Sequence, residues 1–599
     1  MILDTIAQTP VLVTPLHKEF DQAQAQLVSD EVGRIGPLVK LIAKLITQAL
    51  APKDSREATR VHQNENCPPV PPCPVIPPEL VKELRDLVAP GTVLTPEDHD
   101  KYEKAVYTGN LLYAGRRPGA VVMTDEAEKL GATVKFAQKH KFELTIKNGG
   151  HSYAGYCLNC GGILVFMNTG KFGPDGIKVD LQSSPKTVTI PAGCLWSDVH
   201  DYFHRNRIDQ MVIGGRCPTV GVSGFTLGGG VSPFSRRYGL GIDNIIKATI
   251  VTASGDCIEV SREDTEPEKK DLFWALRGGG GGNFGILTGF TAQIHDLSHN
   301  DGKVAYGLLT WELPSQQSQF EEMMKVYNSK KWPNRLALDV IWQYKLKKGD
   351  EEQTLFAEVI VIYDGTLEEC LEVIAPLIHF AVDISISSMK WWDVALIEQG
   401  DPNSTIPFYS HWASLIFGQG SMTETVVSDI TKLMEESREL LERYDPKGMS
   451  HLLWVHIGEE TAKVDANDTA FFWRDGVYVC YFKIQWTLCD DDVRNKMFKF
   501  VDNVKAKLAR HTIQGQAAYV NFVDETISNW EEAYYGDNYP RLQQIKKEWD
   551  PNDFFNFKQS IKLPGATDSQ TGIEKDPTSA IERPGISWDE NTLSDPDKV

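Results

Sequence analysis

Glycine is the residue type that most constrains this chain, because 26 of its 48 glycines lie between Gly149 and Gly289. Glycine adopts backbone conformations and permits close contacts that a side chain would exclude. Three clusters stand out: KNGGHSYAGY at 147–156, GGRCPTVGVSGFTLGGGVSPFSRRYGLGIDN at 214–244 and RGGGGGNFGI at 277–286. Glycine loops expose consecutive backbone N–H groups, which can bind a pyrophosphate. The clusters therefore predict a dinucleotide cofactor, and a purely structural set of tight turns is the weaker interpretation.

The common phosphate-binding motifs do not fit these clusters. No segment reads G-x-G-x-x-G between an early strand and a helix with an acidic residue about 20 positions later. No glycine run is followed by Lys-Ser or Lys-Thr, as a Walker loop requires.

Charge and hydropathy exclude several classes of protein. With 61 basic and 82 acidic residues, the chain carries a formal net charge of -21, which argues against partners such as nucleic acids and anionic membranes. No apolar run reaches the roughly 20 residues of a membrane span. The segment 37–50 has apolar residues at helical spacing and predicts a packing helix. No secretory signal is readable at the N-terminus, so we expect a cytoplasmic protein.

The pattern of short strands and helices predicts an α+β protein of about two folded domains. Residues 68–78 predict a stiff proline-rich linker, and the polar stretch after 563 a disordered tail. The expected strands are 120–123, 143–146, 187–190, 247–252, 285–294, 354–363 and 477–487, and the expected helices are 125–140 and 423–444.

Cysteine and histidine spacings leave a few alternatives open. Cys157 and Cys160 have zinc or redox spacing, but no second pair follows, which favours a disulfide or free thiols. His200 and His204 have metal-ligand spacing without a third ligand, so we interpret them as surface histidines.

From 116 to 561 the sequence resembles the FAD-linked oxidases of the vanillyl-alcohol-oxidase and p-cresol-methylhydroxylase superfamily, in the berberine-bridge-enzyme branch. The segment GGHSY at 149–153 matches the family segment whose histidine bonds to the flavin 8α-methyl, and CPTVG at 217–221 the one whose cysteine bonds to flavin C6. The C-terminal signature also matches, with Tyr-Val-Asn at 519–521, Trp530, Tyr-Tyr-Gly at 534–536 and Gln-Ser-Ile at 559–561.

The resemblance implies FAD attached covalently through His151 and Cys217, with a single histidyl link as the main alternative. It implies a two-part FAD-binding domain at 115–297, a substrate domain with a large antiparallel sheet at 298–515, and a C-terminal segment at 516–563 that completes the FAD site. Residues 1–80 would form an extension and 564–599 the tail. The implied FAD-binding residues are Lys147, Asn148, Gly149, Gly150, His151, Ser152, Gly155, Cys217, Val220, Gly221, Gly224, Gly228, Gly229, Gly230, Tyr238, Gly239, Asn283, Gly285, Ile286 and Asn521.

The resemblance also suggests catalytic residues. Tyr519 is the candidate base, and a nearby cation would favour its phenolate. Lys483 would provide that cation, and Gln485 shares its strand face because strand residues alternate. Tyr153 would line the cavity beside the histidine.

The implied activity is oxidation of a small molecule with dioxygen as the electron acceptor. The first hypothesis is dehydrogenation or oxidative cyclisation of a specialised metabolite by hydride transfer to the flavin. Alternatives are a carbohydrate oxidase that produces a lactone, and a flavin-binding protein with little turnover.

Overall fold

The computed structural model describes residues 71–346, 352–381, 383–398 and 408–566. The helix predicted at 37–50 and the predicted tail after residue 566 lie outside these ranges. Within them, no helix combines the length and apolar character needed to cross a membrane.

Two small sheets form the N-terminal half of the described chain. Their strands are β1 (Thr92–Leu94), β2 (Ala120–Met123), β3 (Leu144–Lys147), β4 (Ile163–Phe166), β5 (Lys178–Asp180), β6 (Thr187–Pro191), β7 (Ile245–Val251), β8 (Cys257–Ser261) and β9 (Ile286–Gln293). The first sheet has the order β1-β2-β4-β3 and is parallel except at β1. The second is antiparallel, in the order β5-β6-β9-β7-β8.

Helices pack on these sheets through their apolar faces. They are α1 (Pro78–Val88), α2 (Asp100–Val106), α3 (Ala127–His140), α4 (Trp196–Asn206), α5 (Val222–Leu227), α6 (Ser235–Tyr238) and α7 (Pro267–Ala275). In α1, proline at the first position has no N–H group that would need a partner, and Val81, Leu84 and Val88 are buried at helical spacing. Helix α3 ends at Lys141, which adopts a left-handed conformation with φ 58°.

A seven-stranded antiparallel sheet dominates the second half of the chain. Its strands are β10 (Lys303–Leu313), β11 (Leu336–Leu346), β12 (Gln353–Tyr363), β13 (Asp383–Lys390), β14 (Tyr409–Phe417), β15 (Met449–His456) and β16 (Tyr478–Trp486). The strand order is β13-β10-β12-β11-β15-β16-β14, which confirms the predicted large antiparallel sheet. The accompanying helices are α8 (Gln317–Ser329), α9 (Leu367–Ile378), α10 (Trp391–Glu398), α11 (Glu424–Tyr444) and α12 (Asp491–Leu508).

The C-terminal segment returns to the glycine-rich half, as predicted. It contains α13 (Trp530–Tyr535) and α14 (Tyr539–Trp549). The fully buried Lys546 donates from Nζ to Asp550 Oδ2 at 2.7 Å and to the carbonyl of Asn283 at 2.8 Å. The Asn283 amide oxygen also accepts from the backbone N–H of Ile561 at 2.9 Å. A buried ion pair and these hydrogen bonds thus fasten residues 546–561 to the third glycine cluster.

The predicted strands and helices within the described ranges agree with the structure to within two residues. Residues 71–77 lack regular structure, but Ile76 is buried in the core, and α1 begins at Pro78. Cys73 forms a disulfide with Cys160. Residues 71–77 are therefore attached to the core through Ile76 and through this disulfide. The predicted domain limits stay predictions.

The cysteine and histidine alternatives are also decided. Cys160 pairs with Cys73 while Cys157 is a buried free thiol, and the described residues contain no cluster suited to a metal ion. The prediction of surface histidines is wrong for His200, which is 5% exposed and packs edge-on against Trp391.

Candidate active site

His151 and Cys217, the two predicted anchors, meet at a third side chain. His151 Nε2 lies 2.9 Å from the Thr219 hydroxyl, and Cys217 Sγ lies 3.5 Å from the same oxygen. Cys217 is a free thiol. Two loops separated by more than 60 residues thus place an imidazole and a thiol around one hydroxyl group.

Glycine allows the two anchor loops to approach this closely. A Cβ on Gly149 would lie 2.3 Å from the Thr219 carbonyl oxygen and 2.6 Å from the Gly221 nitrogen. A Cβ on Gly221 would lie 2.5 Å from the Asn148 side chain. Asn148 donates from Nδ2 to the carbonyls of Ala192 and Cys194, which anchors its loop to the second sheet. Both positions therefore require glycine, because a side chain at either one would collide with the other loop.

The electrostatic surroundings keep the His151 imidazole neutral. Withdrawal from water, together with the charges of Lys483 and Lys147, lowers its pKa to about 4. Lys147 is itself buried, which lowers its pKa, and its Nζ lies 4.8 Å from the centre of the Phe166 ring. A neutral imidazole retains a lone pair, so His151 can act as a nucleophile at any pH above about 4.

Four rings beside the anchors form what we call the aromatic cluster, made of Tyr153, Trp412, Tyr481 and Phe522. The Tyr153 and Trp412 rings stack with centroids 3.5 Å apart. Tyr481 packs edge-on against Trp412 at 5.1 Å and against Phe522 at 4.8 Å. The cluster joins the His151 loop, strands β14 and β16, and the C-terminal segment.

Polar side chains of the large sheet continue from this cluster. Lys483 pairs across the strands with Trp412, and its Nζ lies 4.6 Å from the Trp412 ring centre. Gln485 donates to the Ser410 hydroxyl at 3.4 Å. Asn110 donates to the carbonyls of Ser410 and Tyr153, at 3.1 and 3.0 Å. Lys483 thus contacts the ring that stacks on Tyr153, and Gln485 lies two residues further along β16; their catalytic roles stay predictions.

The Tyr519 hydroxyl lies among hydrogen-bond donors. Its hydroxyl oxygen accepts hydrogen bonds from the backbone N–H groups of Gly230 and Val231, at 3.1 and 3.3 Å, and from Asn521 Nδ2 at 3.0 Å. Burial nevertheless raises the pKa of Tyr519 to about 12, because desolvation outweighs these three donors. The charge of Lys483 lowers the pKa of His151 and of His451, and its predicted effect on Tyr519 stays a prediction.

The triple glycine at 228–230 accommodates the C-terminal segment. A Cβ on Gly228 would lie 2.0 Å from the Asn521 amide oxygen, and one on Gly229 would lie 3.0 Å from the Tyr519 ring. Asn521 also donates to the Phe225 carbonyl at 2.8 Å. Part of the second glycine cluster therefore binds the protein's own side chains.

Several other predicted FAD-binding residues have protein partners. The Tyr238 hydroxyl donates to Asp364 Oδ2 at 2.7 Å, and Gly239 adopts φ 80° at the end of α6. Gly285 packs against the Val251 carbonyl, and Ile286 is a core residue of β9. With Asn283 bonded to Ile561, these contacts explain the residues without a cofactor, and their roles in FAD binding stay predictions.

Sequence reasoning missed four residues of the site, namely Thr219, Trp412, His451 and Tyr481. His451 Nε2 lies 3.2 Å from the Tyr481 hydroxyl, and desolvation and Lys483 lower its pKa to about 3. Thr219 could have been noticed, since it lies between Cys217 and Val220 in a motif already recognised. The other three lie on strands. Strand alternation predicts which side of the sheet a residue occupies, but it does not predict which residues pack against that side.

Comparison with known proteins identifies the cofactor and the reaction class. The profile described as FAD binding domain matches residues 118–261, and the profile described as Berberine and berberine like matches residues 518–562. The chain is an FAD-linked oxidoreductase. It resembles the berberine-bridge enzymes, as the sequence analysis predicted.

Relatives of this oxidoreductase include bacterial and fungal proteins. An uncharacterised FAD-linked oxidoreductase of Bacillus subtilis is 25% identical over 79% of this chain and 96% of its own length. A VAO-type flavoprotein oxidase of Thermothelomyces thermophilus is 26% identical, over 80% of this chain and 82% of its own.

Solved structures share the fold. The berberine-bridge-enzyme-like protein 1 of Physcomitrella patens superposes with a TM-score of 0.66 at 22% identity, over 80% of this chain and 99% of its own. A chitooligosaccharide oxidase superposes with a TM-score of 0.64 at 20% identity, over 81% and 99% of the two chains.

The anchor loops of the oxidoreductase fit FAD. Among the described residues, the backbone N–H groups of 149–151 and 153–154 donate no hydrogen bond to a backbone carbonyl, whereas that of Ser152 is directed at the Cys157 thiol, which leaves five donors for a ligand. The buried amide oxygen of Asn148 also lacks a partner, although buried polar atoms are nearly always paired. A Cβ on the exposed Gly224 would meet nothing within 4 Å. The His151 loop therefore has unpaired polar groups, and the second glycine cluster has open space at Gly224.

Proposed function

We propose that this oxidoreductase dehydrogenates or oxidatively cyclises a small specialised metabolite, with FAD attached through His151 and Cys217. The observation that carries the proposal is the position of Tyr153. It follows His151 in the anchor loop, stacks on Trp412 of the large sheet, and interacts electrostatically with Cys217 and Tyr481. The residues suited to hold FAD and those suited to bind a substrate therefore lie at one place.

The chain has to orient the substrate and accept its proton. When bound, FAD supplies a hydride acceptor that dioxygen reoxidises, with hydrogen peroxide as the product. The aromatic cluster offers flat apolar surfaces, on which ring-containing substrates stack. A base must then remove a proton from the O–H or N–H group adjacent to the oxidised carbon.

We assign the role of proton acceptor to Tyr481 Oη. His451 is neutral, so its Nε2–H can donate to the phenolate oxygen 3.2 Å away without adding charge. Lys483 lies two residues further on the same face of β16 and contacts Trp412, which packs against Tyr481. These contacts place an imidazole nitrogen at the Tyr481 oxygen and a cation on the neighbouring ring.

Tyr519 is the competing base. Its oxygen is held by three N–H donors of the glycine turn and Asn521, and its backbone is held on both sides by the Ser414 hydroxyl of β14. We propose that Tyr519 mainly fixes the C-terminal segment against the anchor loops.

The alternative substrate is an oligosaccharide oxidised at its C1 hydroxyl. Aromatic rings also bind the flat faces of sugars, and the chitooligosaccharide oxidase has the same fold. The third alternative remains a flavin-binding protein with little turnover.

Hydrogen peroxide release distinguishes these functions. Purified enzyme is incubated in air with a panel of phenols, polycyclic alcohols and cyclic amines, and with cello- and chito-oligosaccharides. We expect peroxide with ring-containing alcohols or amines. Peroxide with oligosaccharides alone would replace the metabolite by the carbohydrate, and no peroxide with any compound would favour the flavin-binding protein.

The two tyrosines are compared with the best substrate of that panel. In anaerobic rapid mixing, Tyr481→Phe is expected to slow flavin reduction by about 100-fold, the usual scale for loss of a general base. Tyr519→Phe is expected to slow it less than tenfold while lowering thermal stability. The reverse order would return the role of base to Tyr519.

A further inference from the structure

Thr219 occupies the centre of the anchor site, although neither the resemblance nor the comparisons give it a role. Its hydroxyl is the shared partner of His151 Nε2, at 2.9 Å, and Cys217 Sγ, at 3.5 Å. A hydroxyl group has one proton to donate and two lone pairs to accept with, so it can bond both anchors at once.

The hydrogen bond to Thr219 distinguishes the two nitrogens of His151. A neutral imidazole carries a proton on only one of them, and the other has the free lone pair. Nε2 faces Thr219, whereas Nδ1 has no hydrogen-bond partner among the residues that the structure describes. If Nε2–H donates to the Thr219 oxygen, Nδ1 is left as the nucleophile, and the Thr219 O–H is free to donate to Sγ.

The turn that carries Thr219 is fixed by contacts that do not involve its side chain. Helix α4 donates from the backbone N–H of Trp196 to the Val220 carbonyl, at 3.1 Å, and from Ser197 to the Pro218 carbonyl, at 2.9 Å. The Thr219 side chain itself is exposed. Removing its hydroxyl should therefore alter the anchors without unfolding the turn.

We propose that Thr219 is the positioning residue for flavin attachment, holding His151 as the Nε2–H tautomer and keeping the Cys217 thiol beside it. The inference rests on the proposed covalent attachment. In that step a bond forms between His151 Nδ1 and the 8α carbon and a C–H bond of that carbon breaks. The two electrons reduce the flavin, which takes up the released methyl proton and the Nε2 proton, and dioxygen then removes both electrons and both protons as hydrogen peroxide. The Thr219 hydroxyl holds the Nε2–H group by its hydrogen bond until that proton leaves.

The test compares Thr219→Val, which keeps the shape and removes the hydroxyl, with Thr219→Ser, which keeps the hydroxyl. Each protein is purified with its FAD and precipitated with acid, and flavin is measured in the pellet and the supernatant. We expect more than 90% of the flavin in the pellet for the wild type and Thr219→Ser. For Thr219→Val we expect less than half, at unchanged total FAD per protein.

The outcomes separate the inference from the proposal on which it rests. Full attachment in Thr219→Val would overturn the role of Thr219 and leave the covalent links intact. Release of all flavin from the wild type would overturn both. A second measurement uses wild-type protein only: after proteolysis, NMR of the flavin–histidine conjugate should show linkage through Nδ1. Linkage through Nε2 would overturn the inference even if Thr219→Val failed to fold.

Discussion

The anchor loops and the face of the large sheet contribute to one site in different ways. The loops around His151 and Cys217 are shaped by glycine and by backbone contact, such as that of Gly149 with the Thr219 carbonyl. The sheet contributes side chains, among them Lys483 and Tyr481, from strands that are fixed by their own ladder. The backbone thus determines where the cofactor is held, and strand alternation determines which groups face the substrate. Changes in the loops should affect FAD binding, whereas changes on the sheet should affect turnover.

The largest effect is expected from removing the anchors. His151→Ala and Cys217→Ala should each leave flavin attached by one link, with a shifted absorption spectrum, and the double variant should release all of it in acid. Flavin fluorescence in a denaturing gel measures this directly. An unchanged spectrum for Cys217→Ala would support a single histidyl link instead.

A smaller effect is expected from two alanine substitutions. One tests a glycine that the contact between the loops requires, and the other tests a glycine that leaves space for FAD. Gly149→Ala should lower the free energy of unfolding by about 2 kcal/mol, because the added Cβ meets backbone atoms that cannot move away. Gly224→Ala meets no protein atom within 4 Å and lies within α5, so it should leave the stability of the FAD-free protein unchanged or slightly higher. Urea unfolding and FAD titration measure the two effects. Normal FAD uptake by Gly224→Ala would show that FAD does not occupy the open space beside Gly224.

The smallest effect concerns pH. Burial lowers the pKa of His200 to about 4, so it stays neutral in the folded protein, while the unfolded chain takes up a proton below about pH 6.5. Stability should therefore fall as the pH decreases from 6.5 towards 4, with His200 contributing about 2 kcal/mol between pH 7 and pH 5.

Urea unfolding at the two pH values tests this contribution. His200→Gln should reduce the loss of stability on acidification. The matched change of the exposed His204 on the same helix, His204→Gln, should leave that loss as in the wild type. An equal loss of stability on acidification in both variants would contradict the assignment to His200.

Local patterns predicted much of the fold. The strand at 120–123 agrees in both limits, and the strand and helix predicted at 354–363 and 423–444 agree to within one residue. Alternation, apolar runs and capping residues act within a few positions, and they are therefore visible in the sequence. The surface position predicted for His200 is wrong because its burial depends on a distant residue, Trp391.

The site was predicted to a different extent in its two parts. His151 and Cys217 could be found because each lies in a short motif with its glycines. The environment of Tyr519 could not, since its three hydrogen-bond donors include Gly230 and Val231, nearly 290 residues earlier in the chain. Tyr481 and His451 meet only because β15 and β16 pair in one particular register.

The sequence alone determined that this chain has a dinucleotide-binding half, with two candidate anchors set among its glycines. Backbone conformation is set locally, and glycine occurs where that conformation or a close contact excludes a side chain. The tertiary structure decided the rest: that Thr219 bonds both anchors, that the 228–230 glycines receive Tyr519 and Asn521, and that Lys483 acts on His151 and His451. Hydrogen bonds and charges depend on distance in space, and only the folded chain sets those distances.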